Sequence, residues 1–329
     1  MTQDVFPVIY STLASKAIIS NVLPHYKLGV ASSCQFWHRG LSDVYLVETS
    51  TYQHILRVSH HHWRSESDIE FELELLDFLQ QRQIPVAYPL KTKDGRLSVE
   101  INAPEGKRYA ALFTKAPGTV ALGDLNPKQS RLLGETVAKL HQAARDFRTH
   151  YYRQPLTLEY LLDDSWEVIA PYLQHRTTDW TYLVEAIAQL KHQLQDLPKE
   201  PPFWGICWGD PHSGNTHFTT EGEMTLFDFD QCGYGWRAFD IAKFLQVSLS
   251  TGISKCVREA FLAGYQTVCE ISDQELTSLQ ALTQTAHIWT WAISLNAAIV
   301  HNYSRLDDSY FQKRLERLKS LKSPDWQLF

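Results

Sequence analysis

Three oxygen-bearing side chains in the second half of the sequence have the spacing of a metal-assisted catalytic site. Asp210 and Asn215 lie five residues apart on a loop rich in Gly, Pro and Ser, and Asp228 follows thirteen residues later, after a short apolar strand. Mg²⁺ takes oxygen ligands and few protein carboxylates, which leaves room for phosphate oxygens. Asn215 and Asp228 suit that role, and Asp210 then remains able to accept a hydroxyl proton. The pattern predicts phosphoryl transfer, with Asp210 catalytic and the other two as metal ligands.

The composition is that of a globular protein and argues against several other classes. The 329 residues are 44% hydrophobic, and 31 Lys plus Arg against 37 Asp plus Glu give a net charge of −6. This balance argues against nucleic-acid and anionic-membrane partners, which favour a basic face. No apolar run approaches the ~20 residues of a membrane span. Five cysteines without CxxC spacing are typical of reduced thiols, so we expect a cytoplasmic location.

The order of predicted elements gives two parts of different character. The N-terminal part is predicted to hold helices at 11–24 and 65–83 and strands at 44–47, 54–58, 97–101 and 109–114. After residue 118 the pattern is mostly helical, with helices at 127–150, 158–173 and 179–197, a β interlude at 216–229, and helices again over 237–320. Trp289 and Trp291 are two residues apart in this last region, so at most one of them should face the core directly.

The segment around Asp210 resembles a known superfamily. Cys207-Trp208-Gly209-Asp210-Pro211-His212-Ser213-Gly214-Asn215, followed by Leu226-Phe227-Asp228-Phe229-Asp230, is similar to the catalytic loop of the aminoglycoside phosphotransferase, choline kinase and type II homoserine kinase superfamily. The continuation to Ala242 resembles the branch that holds homoserine kinases and bacterial stress response kinases. The resemblance covers residues 30–250.

This resemblance implies an α+β, two-lobed, protein-kinase-like fold. A small antiparallel-sheet N-lobe would span residues 1–115 and bind nucleotide phosphates, and a larger, mostly helical C-lobe would span 116–329 and carry the catalytic loop and the acceptor pocket. The implied cofactors are ATP and Mg²⁺. The reaction would move the γ-phosphoryl group of ATP to a hydroxyl group.

The resemblance also assigns a phosphate-binding pair. Arg57 lies on the strand where the family usually has Lys. An Arg can still neutralise a phosphate, because its guanidinium presents N–H donors in a fork. Glu72, on the next helix, matches the Glu that pairs with this cation, while Glu70 and Glu74 are competing choices on other sides of the helix. A surface cation on an edge strand is the alternative interpretation of Arg57.

Two further nucleotide contacts follow from the same resemblance. The turn with Gly40 and Ser42 lies where the phosphate-covering hairpin belongs, although a simple surface turn explains it equally well. Backbone atoms around Phe113 and Thr114 would bind the adenine edge.

Several residues near the loop depart from the family pattern or call for a structural role. Trp208 replaces a His that braces the loop, and Trp can donate one hydrogen bond but accept none. Asp240 is expected to be buried and hydrogen-bonded, as a support for the loop. His212 is expected to pack against the loop, and His60 to His62 are expected to form a solvated turn.

The acceptor is predicted to be a small hydroxylated molecule, because the helical insert at 120–200 lies where this superfamily builds small-ligand pockets. Glu159, Asp163 and Asp164 on that insert could bind an amine, and a surface helix would equally carry them. The runner-up is a Ser/Thr protein kinase of the stress response type. A nucleotide-binding pseudokinase is a third possibility, favoured by Arg57 and Trp208. The oligomeric state is left open.

Overall fold

The computed structural model describes residues 6–29, 31–121, 125–301 and 306–323. The chain divides into two compact units, the first of residues 1–117 with 148–153, and the second of residues 118–147 with 154–329. The division falls two residues after the end of the expected N-lobe, and a short segment that follows the first long helix of the second unit belongs to the first unit. The functional labels given to the two parts stay predictions.

The first unit is built on a five-stranded antiparallel sheet with strand order β1-β2-β3-β5-β4. The strands are β1 (Ala31–Arg39), β2 (Ser42–Thr49), β3 (Gln53–Ser59), β4 (Val99–Ala103) and β5 (Gly106–Thr114). The predicted hairpin over 44–58 is confirmed as β2–β3, in which Val44 lies opposite Arg57. The region predicted as a helix at 11–24 is shorter, with α1 at Ser15–Asn21 and a 3₁₀ turn at Leu23–His25.

Helix α2 (Glu66–Gln81) confirms the helix predicted at 65–83. Ser65 caps its N-terminus, since the Ser65 hydroxyl accepts from the backbone N–H of Asp68 and the Asp68 carboxylate accepts from the N–H of Ser65. The periodic apolar residues Ile69, Leu73 and Leu76 are buried. This helix places Glu72 at a fixed position in the first unit.

A buried ion pair fixes the β1–β2 turn to the sheet. Arg108 on β5 is fully buried and donates to Asp43 Oδ2 on β2 at 2.8 Å and to the Ser59 carbonyl oxygen at 2.6 Å. His60 is also buried, with its Nε2 3.7 Å from Asp43 Oδ1 and its ring against Tyr10. The expectation of a solvated turn is therefore wrong for His60, because it covers this ion pair. His61 and His62 are exposed.

The second unit consists of helices with two small strand groups. Its helices are α3 (Pro127–Ala143), α4 (Asp164–Leu173, preceded by a π-helical turn at Glu159–Asp163), α5 (Thr177–Leu194), α6 (Arg237–Thr251), α7 (Lys255–Gln266), α8 (Asp273–His301) and α9 (Asp308–Leu321). The first helix ends seven residues earlier than predicted, in a 3₁₀ turn at Ala144–Asp146.

Short strands frame the segment around Asp210. Strand β7 (Trp204–Cys207) pairs antiparallel with β10 (Gly233–Trp236), and β6 (Thr119–Val120), β8 (Thr216–Phe218) and β9 (Met224–Leu226) form a three-stranded sheet. The β interlude predicted at 216–229 is confirmed as β8 and β9, whereas the β7–β10 pair was not predicted. The loop at 208–215 therefore begins and ends on a strand.

Helix α3 crosses α7 at very short distance because a glycine lies at the crossing on each helix. A Cβ at Gly134 would lie 1.9 Å from the Phe261 carbonyl oxygen, and one at Gly264 would lie 1.9 Å from the Arg131 carbonyl oxygen. This contact fixes His141 near the end of α3 and Tyr265 near the end of α7, two residues that support the loop described below.

Helix α8 is buried on more than one face. Trp289 and Trp291 are both buried, at 3% and 0% exposure, so the expectation that at most one of them faces the core is wrong. Helix α8 packs against α4, α5, α6 and α9. Its described residues around Trp289 and Trp291 are therefore enclosed on several sides. Among the described residues, no helix is both long enough and apolar enough to cross a membrane.

His287 on α8 is a buried histidine with one satisfied nitrogen. Its Nε2–H donates to the Arg314 carbonyl oxygen at 2.9 Å, and its Nδ1 has no partner within the described part of the chain. Burial, with added repulsion from nearby cationic side chains, lowers the pKa of His287 to about 4.

We expect the free energy of unfolding to fall in mild acid because of His287. Between pH 6.5 and 4 the unfolded chain binds a proton at this residue that the folded chain does not bind, so stability is lost as the pH drops. The loss from pH 7 to pH 5 should be about 2 kcal/mol. Urea unfolding of the wild type and His287→Gln at both pH values measures it. An equal pH dependence in the two proteins would contradict the prediction.

Candidate active site

Asp240 holds the start of the loop that carries Asp210. This carboxylate is fully buried at the first turn of α6, and it accepts from the backbone N–H of Trp208 and of Gly209, each at 2.8 Å. His141 Nε2 donates to it at 2.8 Å, and the Tyr265 hydroxyl donates to His141 Nδ1 at 2.7 Å. The expectation of a buried, hydrogen-bonded support is confirmed.

His141, Cys207 and Asp240 also place three possible metal-ligand atoms within 4.8 Å of one another. Both nitrogens of His141 and both oxygens of Asp240 take part in the hydrogen bonds just described, and the Cys207 thiol donates to the Trp236 carbonyl oxygen. Burial raises the pKa of Cys207 well above its usual value, which keeps the thiol protonated. The cluster is therefore a hydrogen-bonded brace.

Gly209 allows the loop to approach the segment after β9. Its φ is +85°, and a Cβ there would lie 2.1 Å from the Gln231 carbonyl oxygen, so any other residue would displace one of the two segments. The Trp208 indole N–H donates to the Asp228 carbonyl oxygen at 3.0 Å, and its ring stacks on Phe229. Trp208 thus braces the loop as a donor. Asp228 itself has a left-handed backbone, with φ of +58°.

The Asp210 carboxylate has partners at both oxygens. Lys243 Nζ lies 3.1 Å from Oδ1, and Asn215 Nδ2 donates to Oδ2 at 3.2 Å. His212 Nε2 lies 3.4 Å from Oδ2. Burial alone would raise the pKa of Asp210, but Lys243 and His212 outweigh it and hold the pKa well below its ordinary value. Asp210 is therefore ionised at neutral pH and has a fixed orientation.

His212 is oriented by its own loop. Its Nδ1 accepts from the backbone N–H of Gly214 at 3.0 Å, which leaves Nε2 to carry the proton that faces Asp210. The expected packing role is confirmed, and a donor position next to the carboxylate is added to it.

Lys243 is a partner of Asp210 that was not predicted from the sequence. It lies on α6, is buried, and joins Asp210 to the helices behind the loop. One signal was present: Lys243 interrupts the apolar run from Ile241 to Leu245, and a buried Lys needs an acidic partner.

Asn215 and Asp228 are close along the fold, since the backbone N–H of Phe227 donates to the Asn215 carbonyl oxygen at 3.0 Å. The Asn215 amide nitrogen faces Asp210, donating also to its backbone oxygen at 3.1 Å, and this orientation leaves the amide oxygen as its acceptor atom. The Asp228 residue is exposed. An amide oxygen and an exposed carboxylate are the donor set that suits Mg²⁺ with phosphate, and their role as metal ligands stays a prediction.

In the first unit, Arg57 and Glu72 form the predicted pair. Arg57 Nη1 and Nη2 donate to the two Glu72 carboxylate oxygens at 2.8 and 2.5 Å, and the Arg57 guanidinium lies 5.0 Å from the Phe113 ring centre. Glu72 is buried. The competing choices have other partners, since Ser98 donates to Glu70 and Thr149 donates to Glu74. Glu72 is thus the partner of Arg57.

The backbone N–H groups of Gly40 and Thr114, which were predicted to lie near the nucleotide, already make hydrogen bonds within the first unit. The backbone N–H of Gly40 donates to the Ser42 carbonyl oxygen at 3.0 Å, so this amide is used inside the turn. The backbone N–H of Thr114 donates to the Tyr88 carbonyl oxygen at 3.0 Å, and Phe113 pairs with Ile55 in the sheet. The Thr114 amide is therefore not a donor for adenine in this conformation. Contacts of Gly40, Ser42, Phe113 and Thr114 with a nucleotide stay predictions.

The acidic residues of the helical insert have different surroundings. Asp163 is paired with Lys191 Nζ at 2.6 Å, whereas Glu159 and Asp164 are exposed. Partial burial, with repulsion from Asp163 and Glu167, raises the pKa of Asp164. Both earlier interpretations, an amine-binding group and a surface helix, remain possible for Glu159 and Asp164.

Comparison with known proteins identifies the family. Residues 34–282 match the model of the "Phosphotransferase enzyme family". The chain belongs to this family. The match covers most of the sheet with Arg57, helix α2 with Glu72, the loop with Asp210 and most of the helices that support it.

Three individual proteins are similar to this phosphotransferase. An uncharacterised protein of Synechocystis is 58% identical over 326 residues, which cover 99% of this chain and 90% of that protein. A homoserine kinase of Polaromonas naphthalenivorans is 28% identical over 294 residues, covering 83% and 86%. The structure of an amicoumacin kinase in complex with AMP-PNP and Ca²⁺ shares the fold, with a TM-score of 0.72, 23% identity and coverage of 93% and 91%.

The family recognition, the two-part α+β kinase-like fold and the enzyme class predicted from the sequence are confirmed. The protein is a phosphotransferase of the small-molecule kinase type.

Proposed function

We propose that the protein transfers the γ-phosphoryl group of ATP, as its Mg²⁺ complex, to a hydroxyl group of a small molecule. The observation that carries this proposal is the environment of Asp210, an ionised carboxylate held by Lys243, Asn215 and His212 on a loop with little freedom. A pseudokinase would not require a carboxylate so closely fixed.

The depressed pKa of Asp210 defines how it would act. A carboxylate this acidic is a weak base, so it accepts the hydroxyl proton late and contributes mainly by aiming the acceptor oxygen at the γ-phosphorus. This suits the loose transition state of phosphoryl transfer, in which little negative charge develops on the nucleophile. The His212 Nε2 donor stabilises the same carboxylate.

Asn215 and Asp228 would hold Mg²⁺ through the amide oxygen and the carboxylate. When bound, the ion neutralises charge on the phosphates of ATP. The fit rests on the donor chemistry of the two side chains, on the Trp208 hydrogen bond that fixes the Asp228 backbone, and on the exposure of Asp228. The amicoumacin kinase structure, with AMP-PNP and Ca²⁺, supports the use of a nucleoside triphosphate with a divalent cation.

In the first unit we propose that Arg57 binds the phosphates of ATP while Glu72 keeps its guanidinium in place. Arg57→Met should weaken Mg-ATP binding by about 10- to 100-fold, because a charge-assisted hydrogen bond contributes about 1.5–3 kcal/mol. Isothermal titration with Mg-ATP measures this. Arg57→Lys is the control, since it keeps the charge, and it should stay within about tenfold of wild type. Wild-type affinity in Arg57→Met would contradict the assignment.

For the acceptor we propose a small hydroxylated molecule, and for the location the cytoplasm, where Mg-ATP is available. The test is a screen of purified enzyme with Mg-ATP against homoserine, amino alcohols, aminoglycosides and generic Ser/Thr polypeptides. ADP release that depends on one small acceptor supports the proposal. Labelling of polypeptides alone would promote the protein-kinase alternative.

A further inference from the structure

Lys243 is a buried cation whose three N–H donors all have acceptors. Its Nζ lies 3.1 Å from Asp210 Oδ1, 2.9 Å from Thr290 Oγ1 on α8, and 3.2 Å from Gln246 Oε1 one turn further along α6. An ammonium group has three donors, so this set is complete. The Lys243 side chain is therefore held in one position by acceptors on α6 and α8 in addition to Asp210.

The full set of partners also limits what Lys243 can do. A cation that binds a substrate phosphate needs a donor directed at that phosphate, and here each donor is already used inside the second unit. The ion pair between Lys243 and Asp210 gives little reason to assign Lys243 a role in stability, because the cost of removing both charges from water offsets much of their attraction. What the geometry provides is a fixed direction for one Asp210 oxygen.

The second Asp210 oxygen, Oδ2, is held by residues of the loop itself and not by α6. Asn215 and His212 of the loop approach Oδ2, while Lys243 of α6 approaches Oδ1. Without Lys243, Oδ1 would keep no partner among the described residues, and the carboxylate could rotate toward the loop donors. A displacement of about 1 Å at the reacting group can cost about 100-fold in rate.

We propose that Lys243 is a positioning residue, which holds Asp210 in the orientation needed to aim the acceptor hydroxyl. The inference rests on the proposed phosphotransfer, because it assigns Lys243 a role in that reaction through Asp210. It predicts an effect on kcat and none on the binding of ATP.

The test is a set of variants assayed with Mg-ATP and the acceptor found in the screen. Lys243→Met should lower kcat by about 30- to 100-fold and leave the KM for ATP within about twofold. In an Asp210→Asn background the same change should lower kcat by less than about threefold, because a residue that acts only through Asp210 then has nothing left to position. Lys139→Met is the matched control, since Lys139 is an exposed Lys on α3 paired with Glu135, and it should match wild type.

Thr290→Val keeps the shape of residue 290 and removes one acceptor of Lys243, so it tests the inference even if Lys243→Met folds poorly. It should lower kcat by about 3- to 10-fold at constant KM for ATP. Wild-type kcat in a folded Lys243→Met or in Thr290→Val would overturn the proposal. So would a KM for ATP that rises in proportion to the loss, which would make Lys243 a phosphate ligand, or full additivity with Asp210→Asn. A wild-type enzyme that transfers to no acceptor instead overturns the proposed function, and this inference with it.

Discussion

Replacing Asp210 with Asn should lower kcat by at least about 100-fold and leave the affinity for Mg-ATP within about twofold of wild type. The Asn side chain keeps the shape of Asp210 but loses its negative charge, so it holds the acceptor hydroxyl less firmly and cannot take its proton late in the transfer. Its amide oxygen can still accept from Lys243, whereas its amide nitrogen would face the donors Asn215 and His212, so the fold of the variant needs its own check. Steady-state kinetics with the true acceptor and isothermal titration with Mg-ATP provide the two numbers.

The control for this prediction is a demonstration that Asp210→Asn is folded. Asp210→Asn should show a cooperative thermal transition and an Mg-ATP shift like those of wild type, because a ligand that binds only the native state raises its melting temperature. If Asp210→Asn turns over like wild type, Asp210 is a structural loop residue and the catalytic assignment fails.

Replacing Asp228 with Asn should impair both turnover and nucleotide binding. Loss of one anionic ligand weakens Mg²⁺ binding, so we expect a kcat loss of at least about 100-fold and a Kd for Mg-ATP raised by at least about tenfold. The Trp208 hydrogen bond goes to the backbone oxygen of Asp228 and should survive. Binding titrations with ATP at several Mg²⁺ concentrations measure the effect.

Glu221→Gln is the matched control, because it removes the same charge from an exposed position in the nearby β8–β9 connection. It should bind and turn over like wild type. If Asp228→Asn loses rate but keeps its affinity for Mg-ATP and its Mg²⁺ dependence, the residue is not a ligand of the metal.

The local parts of the site could be predicted from the sequence. Asp210 and Asn215 are five residues apart on one loop, so their contact could be expected from the sequence. Arg57 and Glu72 lie on a strand and on the helix that follows it, so their pairing could be expected as well. Short separation and element periodicity carry this information. Asp240 could be predicted because the resemblance included it.

The parts that depend on long-range packing could not be predicted. Lys243 meets Asp210 only because α6 runs behind the loop, thirty-three residues further along the chain. His60 looked like part of a polar surface turn, and it is buried because Arg108 brings Asp43 into the core. Trp289 and Trp291 are both buried because neighbours surround α8, which periodicity on one helix cannot indicate.

The central claim is transfer of the γ-phosphoryl group to a small-molecule hydroxyl, and ³¹P NMR of the reaction tests it most directly. Enzyme, Mg-ATP and the acceptor from the screen should give a new phosphomonoester signal that grows in step with ADP, and Asp210→Asn should suppress it by at least about 100-fold. If wild-type enzyme binds Mg-ATP but no small acceptor yields a phosphomonoester, the account of this protein as a small-molecule kinase is contradicted.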